Sequence, residues 1–315
     1  MRVLLTGATG FVGKHLANKL LENGHEIFAI SRKSTGIPGV VDIKCKELIP
    51  AVIEKELMPY QFDGVVHLAA AGVEPNDRNA NTLIRMNSLL PQALVNISAK
   101  CGAKAVVIVG SSAEYAATNV YEPFLENFPL ETQRIYGASK AAGGILALSQ
   151  GYSLGIPVAI LRPFNIFGFG EASHRLLPSL INAFVREKKV ALSRGTQIRD
   201  FVHIDDVCDA IISVLMQLES KGVNTSGIYN ISTGKGCSVA DFCRICQQVM
   251  GVNESFLNFG AMPLRPDDFP YVVGNPDLIK KVFSVEAKIN LKRGIEKTIR
   301  NYKERLPKNM TGKKQ

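Results

Sequence analysis

The sequence predicts an α/β protein in which a doubly wound parallel sheet carries a smaller C-terminal α/β lobe. Short, continuously apolar runs, such as residues 3–5 and 105–109, alternate with longer runs of helical periodicity. This pattern is typical of a parallel sheet covered by helices on both faces. The length of 315 residues fits one large domain with an appendage. Because no linker rich in Pro, Gly or Ser interrupts the chain, we predict a first domain over residues 1–165 and a second lobe mainly over residues 166–315, with some segments returning to the sheet.

Composition and charge argue against several other classes of protein. Hydrophobic residues make up 46% of the chain and charged residues 21%, close to the averages of globular proteins, which argues against disorder. No apolar run reaches the length of a membrane span, so we expect a cytoplasmic protein with no membrane partner. The formal net charge is +9, but the basic residues are spread along the sequence. We therefore expect a solvated basic surface and no nucleic-acid partner.

The six cysteines are scattered and stand mostly in apolar contexts. Such cysteines are expected to be reduced core thiols. Cys243 and Cys246 form a single CxxC pattern, but no second pair and no nearby histidine completes a set of metal ligands. We therefore predict no metal site.

The first predicted strand leads directly into a glycine-rich turn. A run of helical periodicity follows the turn from residue 14. Such a turn needs glycine because it is tight, because a side chain would keep the backbone away from a pyrophosphate, and because the helix must pack close to the strand. The helix N-terminus then offers N–H groups to the phosphates. This order predicts a dinucleotide site built from Gly7, Gly10, Phe11, Val12 and Gly13.

The end of the second predicted strand indicates which nicotinamide dinucleotide is bound. Residues 26–30 are followed by Ser31, Arg32 and Lys33. An acidic residue here would bind the adenosine ribose hydroxyls and repel a 2′-phosphate, whereas an arginine accommodates that phosphate. With two cations and no carboxylate, the sequence predicts NADP(H).

Small and polar side chains follow two later strands. Residues 63–72 form a buried strand that opens into small residues, where the backbone can approach a cofactor. We expect His67, within this stretch, to be a core histidine. The all-apolar strand over residues 105–109 ends at Gly110, Ser111 and Ser112. Because ligands bind at the carboxyl edge of such sheets, we expect both hydroxyls in the site.

Tyr136 and Lys140 stand four residues apart in a predicted helix rich in Ala and Gly. This spacing places both side chains on one helix face. A lysine cation beside a phenol lowers the pKa of the phenol from its usual value of about 10, so we expect Tyr136 to exchange a proton near neutral pH. Many helices carry such a pair by chance. The glycine turn and the serine strand end that precede it favour a catalytic role.

The motifs, taken in order, resemble those of the extended short-chain dehydrogenase/reductases, in the branch that acts on nucleotide sugars. The resemblance covers nearly the whole chain. It rests on Gly7-x-x-Gly10-x-x-Gly13, His67-Leu68-Ala69-Ala70, Asn87, Ser111-Ser112, Tyr136-x-x-x-Lys140, Arg162-Pro163-Phe164-Asn165, residues 199–206 and Arg265-Pro266. It implies a Rossmann-like NADP-binding domain, a small lobe that binds a nucleotide sugar, and a homodimer formed through a helix bundle.

The resemblance also implies a role for each matching position. Catalysis would fall to Tyr136 as acid/base, Lys140 as the residue that tunes it, and Ser111 as the hydroxyl on the C4 oxygen of the sugar. The implied cofactor-binding residues are Gly7, Gly10, Phe11, Val12, Gly13, Ser31, Arg32, Lys33, Glu47, Leu48, Leu68, Ala69, Ala70, Asn87, Tyr136, Lys140, Pro163 and Phe164. The implied substrate-binding residues are Ser112, Asn165, Leu177, Arg199 and Arg265. Of these, Asn165 and the two arginines would contact the diphosphate, which suits the forked guanidinium.

Within this branch the sequence favours an NADPH-dependent reductase of a nucleotide-linked 4-keto-6-deoxyhexose. Dehydratases place an acid and a carboxylate base directly after the Ser or Thr, where this chain has Ser112 and Ala113. Glu114 comes one residue later, and we expect it on the opposite face of an extended segment.

Other reactions stay open as alternatives. Epimerases keep NAD tightly bound and generally carry an acidic end to the second strand, unlike Ser31 and Arg32. A nucleotide-sugar 4-epimerase is nevertheless the first alternative, because it would use the same three catalytic residues. A 4,6-dehydratase or a catalytically silent NADP-binding regulator on the same fold is less favoured.

Overall fold

A parallel sheet forms the centre of the molecule. The computed structural model describes residues 1–73, 79–116, 120–264 and 268–305. The strands found in these residues are β1 (Arg2–Thr6), β2 (Glu26–Ser31), β3 (Val40–Lys44), β4 (Gly64–His67), β5 (Ala105–Val109), β6 (Val158–Pro163), β7 (Asn165–Phe167), β8 (Val190–Leu192), β9 (Ile198–His203), β10 (Gly227–Ile231), β11 (Gly236–Ser238), β12 (Leu257–Phe259) and β13 (Tyr271–Val272).

Helices connect most of these strands. The α-helices of the described segments are α1 (Phe11–Glu22), α2 (Pro50–Leu57), α3 (Ala80–Leu83), α4 (Leu90–Lys100), α5 (Ile135–Leu154), α6 (Leu176–Val185), α7 (Ile204–Lys221), α8 (Val239–Met250), α9 (Asp277–Phe283) and α10 (Leu291–Arg305). A π-helical turn over Ile84–Leu89 joins α3 to α4. Short 3₁₀ turns occur at Ser112–Glu114, Val223–Thr225 and Glu254–Phe256.

The central sheet has seven parallel strands in the order β10-β6-β5-β4-β1-β2-β3. The chain winds outwards from β1 to β3 and then returns to the other side of β1 with β4. Ligands of open α/β sheets bind in the crevice at such a switch point, outside the carboxyl ends of the strands. The glycine turn follows β1 at this place. The arrangement confirms the predicted α/β class with a doubly wound parallel sheet.

Two hydrophobic cores cover the two faces of the sheet. Val3 and Leu5 of β1 belong to one core, with residues of α1 and α7, whereas Leu4 belongs to the other, with residues of α2 and α4. Successive side chains of a strand point to opposite faces, so a strand buried on both sides must be apolar throughout. This requirement explains the uninterrupted apolar runs in the sequence.

A third core lies in the C-terminal half of the chain. It includes Phe167, Leu180 of α6, Phe242 of α8 and Ile295 of α10. Two small sheets accompany it: β11, β9, β13 and β7 form one, and β8 pairs with β12 in the other. However, β10 is a strand of the central sheet, and α7 packs on one face of that sheet. The division at residue 165 remains a prediction. That prediction includes segments after residue 165 that return to the sheet, and α7 and β10 are segments of this type.

The segment between β4 and β5 is not one continuous α-helix, because the π turn separates α3 from α4. One local element differs from the sequence-based expectation. Glu114, expected in an extended segment, belongs to a 3₁₀ turn, because Ser111 accepts a hydrogen bond from the N–H of Ala113 and starts a helical turn. Among the described helices, none has both the length and the apolar character needed to span a bilayer.

The packing of α5 against the π turn generates a stability prediction. A Cβ atom added at Gly143 would lie 1.9 Å from the carbonyl oxygen of Asn87, which is main chain and cannot move aside easily. We expect Gly143→Ala to lower the free energy of unfolding by about 1–3 kcal/mol, despite the higher helix propensity of alanine. Chemical denaturation measures this change.

Gly144→Ala is the matched control in the same helix. Its added methyl group would meet the side chain of Ile160 at 3.3 Å, which is a milder contact. We expect a smaller loss or a gain in stability. Equal losses in the two variants would contradict the contact with Asn87.

Candidate active site

The carboxyl edge of the central sheet opens into a cleft with a volume of about 1900 Å³. Common ligand pockets measure about 300–1000 Å³, so this cleft has room for a dinucleotide and a second ligand. The predicted residues that line it are Gly7, Gly10, Phe11, Val12, Gly13, Ser31, Arg32, Lys33, Glu47, Leu48, Leu68, Ala69, Ala70, Ser111, Ser112, Tyr136, Lys140, Pro163, Phe164, Asn165, Leu177 and Arg199.

The glycine turn is shaped as a cradle that side chains would fill. Gly7 has a φ of +73°, and a Cβ atom there would lie 2.7 Å from the main-chain nitrogen of Ala69. A Cβ atom at Gly13 would lie 2.1 Å from the carbonyl oxygen of Gly7. Gly10 begins α1 without a side-chain cap, so the first N–H groups of the helix face the cleft rather than a capping oxygen. These residues fit a pyrophosphate group.

The end of β2 brings positive charge to the same cleft. Arg32 and Lys33 are exposed along its wall, and the Ser31 hydroxyl donates a hydrogen bond to the carbonyl oxygen of Lys33. The Asp42 carboxylate on the neighbouring strand accepts the N–H of Thr35 at 3.0 Å and lies outside the cleft lining. The charge at this wall therefore suits a phosphate group.

Thr6 fixes the turn that follows β4. Its hydroxyl oxygen accepts the N–H groups of Leu68 at 3.2 Å and Ala69 at 3.1 Å, and it lies 2.7 Å from Nδ1 of His67. Burial, aided by the nearby charge of Lys140, lowers the pKa of His67 to about 3. His67 is therefore neutral and buried, consistent with the core role expected for it. His67 contacts Thr6, which holds the turn after β4, and its side chain does not line the cleft.

The predicted catalytic side chains come from β5 and α5. Ser111 follows β5 and caps the 3₁₀ turn, and Tyr136 and Lys140 share one face of α5. A Cβ atom at Gly137 would lie 2.0 Å from the carbonyl oxygen of Ala113, so α5 packs directly on the turn that carries Ser111. All three side chains consequently open into the same cleft.

Lys140 is held rigidly at the cleft wall. Its Nζ donates a hydrogen bond of 2.7 Å to the carbonyl oxygen of Val109, and the residue is 7% exposed. Burial lowers the pKa of Lys140, whereas the negative charge of Glu114 raises it. The two effects oppose each other, so Glu114 helps Lys140 to remain a cation.

Asn87 is the one predicted cofactor-binding residue, among those described, that lies behind the cleft lining. It is 2% exposed, and its side chain accepts the N–H of Ala71 and donates to the carbonyl oxygen of Ala71 and the hydroxyl of Ser139. The π turn rotates its amide into this position. Asn87 therefore joins the turn after β4 to α5.

Of the predicted substrate-binding residues, Ser112 lines the cleft from the 3₁₀ turn after β5, whereas Asn165, Leu177 and Arg199 line it from β7, α6 and β9. The guanidinium of Arg199 donates to the carbonyl oxygens of Ile198 at 2.7 Å and Phe269 at 2.8 Å, and it forms an ion pair with Asp268. Burial lowers the pKa of Arg199, opposed by Asp268. Arg199 is thus preorganised. Arg265 lies outside the described residues.

The sequence analysis assigned no role to three acidic residues in or beside the cleft: Glu171 and Asp268, which line it, and Glu114, which lies behind it. Glu171 lines the cleft and accepts the N–H of Gly168 at 3.0 Å, and burial raises its pKa to about 7. No local pattern marks it. Glu114 accepts the N–H of Ser111 in a capping box, and the Ser-x-x-Glu spacing was the signal that could have found it.

A family model relates this geometry to known proteins. Residues 3–232 match the model of the NAD dependent epimerase/dehydratase family. The chain belongs to this family. The match covers the glycine turn, Ser111, Tyr136 and Lys140, and it confirms the extended short-chain dehydrogenase/reductase resemblance in its nucleotide-sugar branch.

Two curated relatives span most of this epimerase/dehydratase-family chain. The UDP-glucose 4-epimerase of Corynebacterium glutamicum is 29% identical over 270 residues, which cover 80% of this chain and 81% of the relative. The GDP-6-deoxy-D-talose 4-dehydrogenase of Aggregatibacter actinomycetemcomitans is 28% identical over 312 residues, which cover 97% of this chain and 98% of the relative.

A solved structure extends the comparison within the epimerase/dehydratase family. MoeE5 in complex with UDP-glucose and NAD superposes with a TM-score of 0.85 at 26% sequence identity. The superposition covers 98% of this chain and 100% of MoeE5. That protein therefore shares the whole architecture described above.

The buried carboxyl of Glu171 generates a pH prediction. Its pKa is about 7 in the folded chain against 4.5 for a glutamate in water, so the folded state keeps a proton that the unfolded state releases between these values. This contribution to stability is complete at low pH and is lost as the pH rises through about 7. A glutamine at this position would mimic the protonated carboxyl. We therefore expect Glu171→Gln to become more stable relative to wild type as the pH rises from about 5 to about 8.

Chemical denaturation of the ligand-free protein at several pH values measures this difference. Glu22→Gln is the control, because Glu22 is exposed on α1. Its curve should run parallel to that of wild type. A parallel curve for Glu171→Gln as well would refute the raised pKa.

Proposed function

We propose that this chain is a nucleotide-sugar 4-epimerase that works with a nicotinamide dinucleotide. The observation that carries the proposal is that Ser111, Tyr136 and Lys140 open into one cleft together with the glycine cradle. The relatives add weight, since one is named a 4-epimerase and another a 4-dehydrogenase. They favour the epimerase alternative over the 4-keto-6-deoxyhexose reductase that the sequence alone favours.

The glycine turn, the turn after β4 and the end of β2 would hold the dinucleotide. When bound, the cofactor would supply reversible hydride transfer at C4 of the sugar. The fixed N–H groups of α1 and the small residues Ala69 and Ala70 serve to bind and orient it. Lys140 and Tyr136 stand at the same wall as these small residues.

Tyr136 is the proton carrier of the proposed reaction. In the first half, Tyr136 takes the proton of the C4 hydroxyl while the C4–H bond breaks and its electron pair leaves as hydride. Ser111 donates a hydrogen bond to the C4 oxygen as it becomes a carbonyl. Lys140 keeps a positive charge beside the phenol and favours its deprotonated form.

The second half reverses the chemistry on the other face of the sugar. The 4-keto sugar turns within the cleft, the hydride returns to the opposite face of C4, and Tyr136 returns its proton to the oxygen. Oxidation and reduction cancel, so no cofactor is consumed. A cleft of about 1900 Å³ leaves room for this rotation.

The surroundings of Glu114 argue against a 4,6-dehydratase. Its carboxylate is fully buried, accepts the N–H of Ser111 at 2.8 Å and pairs with Arg162 at 2.7 Å. A base for elimination must reach the substrate, and Glu114 does not line the cleft. Ser112 and Ala113, which do, carry no carboxylate.

The substrate proposal is a sugar linked to a nucleoside diphosphate. Asn165 on β7 and Arg199 on β9 line the cleft, and the carbonyl and carboxylate partners of Arg199 keep its guanidinium in a fixed orientation. Such a cation suits diphosphate oxygens. Arg265 is proposed as a second cation on the same group.

A 4-dehydrogenase with an exchangeable NADP(H) is the second candidate. Arg32 and Lys33 at the end of β2 favour a 2′-phosphate, and the 4-dehydrogenase relative matches almost the whole chain. A cofactor that leaves in its other redox state would suit a net oxidation or reduction. The two candidates share every catalytic residue and differ only in what happens to the 4-keto sugar.

We also propose that the protein is a homodimer formed through α4 and α5. These helices pack side by side, with a hydrogen bond of 2.6 Å between Gln92 and Gln150. The surface exposes half of Leu89 at the end of the π turn before α4, and half of Ile145 and 40% of Leu146 on α5. Apolar surface of this kind favours association. A monomer mass in sedimentation equilibrium would contradict this proposal.

The test of the reaction is a panel of UDP-, GDP-, dTDP- and CDP-linked sugars, separated by chromatography, with the absorbance of reduced nicotinamide recorded alongside. We expect a 4-epimer to form from one sugar without net change in that absorbance. Stoichiometric formation or loss of reduced cofactor would instead establish the dehydrogenase. Neither change with any sugar would refute both.

Tyr136→Phe removes the proposed proton carrier. We expect turnover to fall at least about a hundredfold while cofactor binding stays nearly unchanged, because only the phenolic oxygen is lost. Tyr152→Phe, near the far end of α5, is the matched control and should retain activity. An active Tyr136→Phe variant would refute the role of Tyr136.

Arg32→Asp tests the cofactor. If Arg32 binds a 2′-phosphate, the variant should bind NADPH about tenfold or more weakly, while NADH binding changes little. Fluorescence titration of the reduced cofactors measures both affinities. Lys55→Asp on α2 makes the same change in net charge away from the cleft, and equal losses for the two cofactors would contradict NADP(H).

A further inference from the structure

We propose that the buried ion pair of Glu114 and Arg162 is a positioning device for catalysis, which fixes Ser111 and the strand end that Lys140 binds. The proposal rests on the proposed function of Ser111 and Lys140. Neither member of the pair touches the substrate or the cofactor in the proposed reaction. Both act through the residues that do.

Glu114 binds the main chain of Ser111 directly. Its Oε1 accepts the N–H of Ser111 at 2.8 Å, and the Ser111 hydroxyl oxygen accepts the N–H of Ala113 at 3.1 Å. These two bonds fix both the backbone and the side-chain rotamer of Ser111. A Cβ atom at Gly110 would lie 2.3 Å from the same carboxylate oxygen, so the absence of a side chain there is what lets Glu114 reach Ser111.

Arg162 fixes the other oxygen of Glu114. Its Nε donates to Glu114 Oε2 at 2.7 Å, and the two side chains are 1% and 0% exposed. The guanidinium also stacks 4.6 Å above the ring of Tyr115, whose hydroxyl donates to Asn230 at 2.5 Å. The carboxylate is thus anchored to β6, the strand next to β5, and through Tyr115 to β10, the strand beyond β6. A buried charge with this many partners stays in one place.

Lys140 and Glu114 contact neighbouring residues at the end of β5. Nζ of Lys140 donates to the carbonyl oxygen of Val109, and Oε1 of Glu114 lies against Gly110. The charge of Glu114 raises the pKa of Lys140, which burial lowers. The titratable groups around the pair are Glu114 on the 3₁₀ turn, His67 on β4, Tyr136 on α5, Tyr115 after the turn, Arg162 on β6 and Glu126 in the loop before α5. His67 is neutral, and Arg162 is a cation, since Glu114 and Tyr115 raise its pKa. Glu114 is therefore the anion that offsets the burial of Lys140.

The informative variant removes both charges of the pair and keeps the hydrogen bond to Ser111. Glu114→Gln alone would leave the buried Arg162 unpaired and could fail to fold. The double variant Glu114→Gln/Arg162→Met replaces the ion pair with neutral groups of similar size, and such replacements are commonly tolerated. The glutamine oxygen can still accept the Ser111 N–H. Circular dichroism and thermal unfolding establish that the variant is folded.

We expect the double variant to lower kcat by about tenfold or more with little change in KM, since a small displacement at the reacting atoms is costly. The alkaline limb of the kcat pH profile should move to lower pH by about half a unit or more, because the variant removes the carboxylate that raises the pKa of Lys140. Arg162 binds the other oxygen of this carboxylate, so we expect the loss of its cation to have the smaller, opposite effect. A merely structural role would not move this limb. A folded variant with the wild-type limb would overturn the proposal.

Glu126→Gln is the matched control. Glu126 is near Arg162, and its side chain accepts the N–H of Asn230 at 3.0 Å. This variant removes a half-buried carboxylate from the same charge cluster without touching Ser111. Its alkaline limb should stay in place, and a shift equal to that of the double variant would refute a specific role for Glu114.

The pH dependence of reduced-cofactor binding, followed by fluorescence, separates this proposal from the proposed function. Lys140 lines the part of the cleft that would hold the cofactor, so cofactor binding should weaken when Lys140 loses its charge at alkaline pH. This weakening should begin at a lower pH in the double variant than in wild type. This measurement needs no sugar substrate. If wild type converts no nucleotide sugar, the proposed function fails. If the alkaline limb of the cofactor-binding pH profile is the same in the double variant and in wild type, the positioning role is overturned.

Discussion

Main-chain atoms in direct contact, made possible by glycines, hold the walls of the cleft together. Gly7 lies against the turn after β4, Gly137 against the 3₁₀ turn and Gly143 against the π turn. Each contact joins segments that are distant in the sequence and leaves no space for a Cβ atom. The cradle at α1 and the catalytic face of α5 are therefore correctly spaced only when the whole central sheet has formed.

The parts of this structure that the sequence predicts well are those set by local spacing. Glycines at intervals of three residues predict the glycine turn, and the four-residue spacing of Tyr136 and Lys140 predicts that they share a helix face. The continuous apolar runs predict a parallel sheet. The partners of Glu114 and Arg199 could not be predicted in this way, because Arg162 and Asp268 are 48 and 69 residues away along the chain. The π turn that rotates Asn87 out of the cleft lining has no local signature either.

Two observations favour different versions of the proposed reaction, one in which the 4-keto sugar is released and one in which it is reduced again. The positive end of β2 is typical of a cofactor that arrives in one redox state and leaves in the other, whereas the 4-epimerase relative and the NAD-bound MoeE5 agree better with a cofactor that is retained. The two proposed reactions use the same residues around C4. The choice between them would therefore depend on affinity for the cofactor and on the space for the sugar to turn, and not on Ser111, Tyr136 or Lys140.

If the cleft binds a phosphate-bearing ligand as proposed, the carboxyl of Glu171 would couple that binding to the uptake of hydrogen ions. Burial raises its pKa to about 7, and it lies in the wall of the cleft. An anion bound nearby would raise that pKa further, so binding at neutral pH would draw a fraction of a proton from the solvent. The heat of binding would then contain the ionisation heat of the buffer, and it would differ between phosphate and Tris at the same pH.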